Sequence, residues 1–114
     1  MSQVIEVTDA TFASVVMSSA KPVLVDYWAD RCAPCERLSP VIDDLSERFG
    51  DRMTFASLDT NANRRTATDQ QILSLPTIQV WQDGRLVKSL PGGRSRRALL
   101  KALDEFLVGV RDDV

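Results

Sequence analysis

Val23 to Trp28, "VLVDYW", is the stretch that leaves this chain least freedom. Its β-branched and aromatic residues favour extended backbone, and five of the six are apolar, so both faces of the resulting strand demand burial. Such a strand belongs to a sheet with helices packed on both of its faces. Its one charged residue, Asp26, then lies in apolar surroundings, where a carboxylate is costly unless it has a task. The bland alternative is a solvated strand residue, which the apolar neighbours on both sides argue against.

The rest of the chain supplies the covering elements. Val4 to Val7 alternates like a strand, and Thr8 is placed to cap a helix over "DATFASVVMSS", with Phe12, Val15 and Val16 on one face. After Cys32 a second helix carries Leu38, Val41, Ile42, Leu45 and Phe49 as its apolar stripe and stops at Gly50, with Pro40 expected to kink it. Met53 to Leu58 reads as a third strand, and "NANRRTATDQQIL" as a weaker helix, because threonines are poor helix formers. Thr77 to Gln82 and Arg85 to Leu90 are joined by Asp83-Gly84, a strong hairpin signal, so these strands are antiparallel neighbours. Ser95 caps a closing helix that buries Leu99, Leu100, Leu103, Phe106 and Leu107. The order βαβαβαββα describes an α/β domain with a central mixed five-stranded sheet flanked by four helices. Residues 1–110 form this single domain, and residues 111–114, "RDDV", read as a short C-terminal tail.

Chemistry concentrates at one point. The chain has two cysteines, Cys32 and Cys35, and no histidine. Joining residues three apart closes almost no loop in the unfolded chain, so a bond between them would stabilise little. If these thiols pair, they pair for chemistry. They also fall where a strand gives way to a helix, at the carboxyl end of the strand, where sites in such folds gather. A sulfur at the N-cap meets unpaired amides and the positive end of the helix dipole, which favours a thiolate at Cys32. Pro34 suits the first turn, and Cys35, one turn in, faces the interior and keeps its proton to higher pH. Acids exceed bases only by 16 to 14, and no clustered basic face marks a nucleic-acid partner. "MSQVIEVTDA" has no leader-like apolar core and no apolar run is long enough to span a bilayer, which points to the cytoplasm and to no membrane partner. In a reducing compartment a cysteine pair is more often catalytic or metal-binding than structural.

"WADRCAPCERLSP", preceded by "VLVDYWA" and followed by Leu75-Pro76-Thr77 and Pro91-Gly92-Gly93, resembles the thioredoxin family over nearly the whole chain, in the family's element order. The resemblance implies a thioredoxin fold and a protein-disulfide reductase. Cys32 would attack a substrate disulfide, and Cys35 would resolve the mixed disulfide. Asp26 would be a buried carboxylate that accepts the Cys35 proton. Pro76 would be cis, bringing the Leu75 backbone beside the thiols to pair with an extended substrate, whereas the residues alone equally allow a proline that merely opens a strand. Gly92 would let a partner's backbone approach closely, and Trp28 would pack beneath the motif and shield it. No bound cofactor is implied, and no metal. Reducing equivalents would come from an NADPH-dependent flavoprotein, thioredoxin reductase, and the partners would be that enzyme and disulfide-bonded proteins, met by a monomer.

The motif departs from the common W-C-G-P-C form. Arg31 stands where Trp is usual and sets a cation beside Cys32; Ala33 replaces Gly, which stiffens the backbone and adds a methyl at the contact surface. Glu36 opposes Arg31 electrostatically, and Ser57 stands where many relatives have Lys near the buried acid. These differences bear on substrates and on redox poise. The rival readings are an oxidase or isomerase using the same residues, a non-catalytic binding module, and a dimer-bridged metal site, since zinc requires four ligands and the chain offers two. The basic run "GGRSRR" reads as a solvated helix start.

Overall fold

The computed structural model describes residues 2–107. Five strands form one sheet in the order β1-β3-β2-β4-β5: β1 (Ile5–Glu6), β2 (Val23–Trp28), β3 (Thr54–Asp59), β4 (Thr77–Gln82) and β5 (Arg85–Pro91). β2, buried along nearly its whole length as its composition requires, is the middle strand, parallel to β3 on one side and antiparallel to β4 on the other. The 111–114 tail lies outside the described residues.

Alternation along β2 sorts the core into two layers. Leu24 points to one face with Phe55, Ile78 and Val80, where α1 (Ala33–Phe49) contributes Leu38, Ile42 and Leu45, and α3 (Arg96–Leu107) contributes Leu99, Leu103 and Phe106. Val23, Val25 and Tyr27 point to the other, against Phe12 and Val16 of the first helical segment. By the same parity Asp26 shares the face of Leu24 and lies under α1.

Tyr27 anchors the opposite layer. Its hydroxyl donates to Gln79 Oε1 at 2.7 Å, and Trp81 Nε1 donates to the same oxygen at 3.0 Å, all three residues being buried. Gln79→Leu therefore strands two donors, at about 1–3 kcal/mol each. We expect a loss of about 2–6 kcal/mol, read as a lower urea midpoint at unchanged slope; an unchanged midpoint would mean that the donors find other partners.

The hairpin is as expected, with Asp83 and Gly84 both at positive φ, 54° and 78°. Ser95 Oγ accepts from the Ala98 amide and caps α3. α1 is continuous through Pro40 and ends at Gly50, whose φ is −62°, so the stop is made by the Arg52 and Met53 amides turning back onto the Phe49 carbonyl and not by a left-handed glycine. α2 (Arg64–Asp69) is short, as the threonines foretold.

One element differs from expectation. The first helix is a five-residue π-type segment, Ala13–Met17, and not a longer helix capped at Thr8. Thr8 instead heads a turn, its carbonyl accepting from Thr11 and Phe12. Ser14 and Ser18 hydroxyls bond back to the carbonyls of Thr11 and Ala13, which competes with regular helical bonding in a run already rich in β-branched residues. Among the described residues no helix is long and apolar enough to cross a membrane.

Candidate active site

Cys32 is the N-cap of α1 in extended conformation, φ −121°, and Ala33 and Pro34 open the helix. The Cys35 amide donates to Cys32 Sγ at 3.3 Å, and the two sulfurs are joined, with the Cα atoms 5.2 Å apart. The structure is thus the oxidised form. Cys32 is partly exposed at the helix tip, while Cys35 is 95% buried, being only 5% exposed. On reduction the same amide would favour negative charge on Cys32, and burial would hold the proton on Cys35. Arg31 is exposed and takes a left-handed backbone, φ 60°, which turns the chain from Asp30 into the motif.

A cleft of about 430 Å³ opens beneath Cys35, and Asp26 lines it. Asp26 is 5% exposed, and its Oδ1 is buried with no hydrogen-bond partner. Its strand neighbours explain this: Ser57 on β3 and Ile78 on β4 stand opposite it in register, so neither side offers a cation. Burial pushes the carboxyl up to about 7, and the negative charge of Asp43 on α1 adds to the effect. Trp28 is half-buried and lines the same cleft, beside Cys35.

The Leu75–Pro76 peptide is cis, which decides the question left open by the residues alone. Pro76 is buried and Leu75 partly so; the Pro76 carbonyl accepts from the Gly92 amide at 2.8 Å. Gly92 has φ 89°, a conformation that favours glycine, and a Cβ there would meet nothing within 4 Å, so the space above it is open. Gly93 lies against the first turn of α1, 3.6 Å from Pro34 Cβ when a Cβ is built on it. Three segments far apart in sequence therefore converge at one end of the sheet: the cysteine motif, the cis-proline turn and the glycine loop.

Asp43 is a member of this site that the sequence reading passed over. A signal was present, since Cys35, Ser39, Ile42 and Asp43 follow helical spacing and so share one side of α1. Among the described residues no cluster of three histidine, cysteine, aspartate or glutamate side chains is arranged to hold a metal ion.

A disulfide at a helix tip, with a partly exposed outer cysteine and a buried inner one, defines a dithiol–disulfide oxidoreductase. The thioredoxin family model matches residues 3–105, and the chain belongs to that family. It is 42% identical to a thioredoxin of Mycobacterium tuberculosis over 93% of this chain and 91% of that protein. Thioredoxin 1 of Synechococcus elongatus is 36% identical over 94% of this chain and all of its own length. A bifunctional thioredoxin reductase/thioredoxin of Mycobacterium leprae is 42% identical over 90% of this chain, which matches 22% of that longer protein. The activity is protein-disulfide reduction by thiol–disulfide exchange through the Cys32–Cys35 pair.

Proposed function

We propose that this protein is a monomeric cytoplasmic reductant, a single domain over residues 1–110, in which Asp26 manages the proton of the second step. The observation that carries the reading is the unpartnered Asp26 carboxyl sharing a cleft with Cys35. Cys32 thiolate attacks one sulfur of the substrate disulfide; the other substrate sulfur leaves as a thiolate and takes a proton from water. Cys35 gives its proton to Asp26 and attacks Cys32 Sγ. That closes the Cys32–Cys35 bond and releases the second substrate thiolate, so two electrons pass from the dithiol to the substrate. Asp26 then returns its proton to water through the cleft.

The substrate segment lies extended across Arg31, Ala33 and Pro34, pairs with the Leu75 backbone ahead of Pro76, and passes over Gly92, where the open space supports a close backbone approach. Trp28 shields the inner sulfur from bulk water. The chain itself carries no cofactor in this cycle. Its electrons come from an NADPH-dependent flavoprotein, thioredoxin reductase, a partnership supported by the Mycobacterium leprae relative, whose name joins the two proteins. Reductive chemistry of this kind suits the reducing cytoplasm.

The test is the equilibrium potential of the Cys32–Cys35 pair, titrated against a thiol buffer with mass-tagged free thiols as the readout. We expect a value at or below the cytosolic glutathione poise, roughly −220 to −260 mV. A value well above it would make the protein an oxidant, with Arg31 and Ala33 as the residues to revert first.

A further inference from the structure

A second groove, of about 500 Å³, borders the redox tip on the side away from Asp26. Pro34, Arg37 and Leu38 of α1 form one wall, and Gly93, Arg94 and Ser95 form the other. At 100° per residue, positions 34, 37 and 38 lie across α1 from Cys35, Ser39 and Asp43. The tip is therefore electrically two-sided: the Asp26 cleft, which also takes in Asp30, Glu36 and Asp43, is acidic, and this groove is basic.

Its two cations are uncommitted. Arg96 pairs with Asp44 and Lys88 with Glu105, but among the described residues neither Arg37 nor Arg94 meets a carboxylate. Arg94 Nε is shut off from solvent and donates to nothing. The Arg94 side chain as a whole is partly exposed along the groove, so its terminal N–H groups are the ones left to meet a ligand.

We propose that this groove receives the carboxylate of an Asp or Glu side chain carried by the disulfide-bonded substrate, within a few residues of the cysteine that Cys32 attacks. This rests on the reading that substrate lies across Pro34 and Gly92. A substrate residue beyond the Gly92 crossing meets Arg94 two positions along the loop, with Arg37 facing it from α1. A carboxylate fits because both donors are guanidiniums, which grip planar oxyanions. The run "GGRSRR", read from sequence as a solvated helix start, thus divides its labour: Arg96 ties α3 to α1, and Arg94 selects substrate.

The experiment compares three disulfide peptides identical except for Glu, Gln or Lys at the flanking position, each mixed with the reduced protein. At low ionic strength the Glu peptide is expected to react about three- to tenfold faster than the Gln peptide, and the Lys peptide slower than either. The gap should shrink in roughly 0.5 M KCl, where screening lengths fall to a few ångströms. In Arg37→Gln/Arg94→Gln the Glu-to-Gln ratio should fall close to one.

Equal rates for the Glu and Gln peptides with the unaltered protein would overturn the groove proposal alone, since the Gln rate reports the thiol chemistry by itself. Failure to reduce even the Gln peptide would overturn the redox reading and the groove with it. A Glu preference that survives the double substitution would move the recognition elsewhere, Arg31 being the next cation. Inorganic phosphate that erases the preference while KCl of equal ionic strength does not would reassign the groove to a free anion.

Discussion

Asp26→Asn will leave the oxidised protein about 4 kcal/mol more stable than the unaltered protein at pH 8, and nearly unchanged at pH 4. The sign follows from which state holds the proton. Burial lifts the folded-state carboxyl from 3.8 to about 7, so between those values the folded protein keeps a proton that the unfolded chain has lost. Stability therefore falls as pH rises through that window, by about 1.4 kcal/mol per pH unit, and levels off above about pH 7. Asparagine carries no charge and removes the slope. Urea unfolding of both proteins from pH 4 to 8 checks this; parallel curves would show that Asp26 is ionised at no cost and is wetter than its burial indicates. The same substitution should slow the resolving step near neutral pH by about a hundredfold, the low end of what a positioned base contributes. Unchanged resolution would reduce Asp26 to a destabilising residue without a task.

Cys35→Ser will stop the cycle halfway. Cys32 still attacks, nothing resolves the product, and the protein accumulates covalently bound to one substrate molecule, with turnover lower by at least about 10³. Intact-mass analysis under non-reducing conditions reads the adduct, and addition of a small thiol releases it. Cys32→Ser should form no adduct, because its remaining thiol is buried under the helix tip. An adduct on that variant instead would exchange the roles of the two cysteines.

Much of this architecture was legible in the residues because it rests on local rules. The β-branched and aromatic run Val23–Trp28 marked a strand buried on both faces, Asp83-Gly84 marked the hairpin, and Cys32 stood where the helix after that strand begins. What escaped depended on side chains meeting across elements. Asp43 becomes relevant only once α1 is laid over β2, so that a carboxylate on the helix shares a cleft with one on the strand. Arg37 and Arg94 lie 57 positions apart and acquire a common purpose only when the glycine loop seats against Pro34. The first helix failed for the opposite reason. Its periodicity was correct, Phe12 and Val16 being buried, but serine hydroxyls bonding back to the chain reshaped a segment too short to resist them.

Adjacent residues of β2 serve opposite sides of the sheet, Asp26 beneath Cys35 and Tyr27 in the Gln79–Trp81 network. A slip of β2 by a single position would turn each to the other face, setting a phenol under the inner sulfur and driving a carboxylate toward Ala56, Leu58 and Trp81. The hydrogen bonds of Tyr27 thus act as a keyway for a reaction they never touch: they hold the strand in the one alignment that delivers an acid to the thiols.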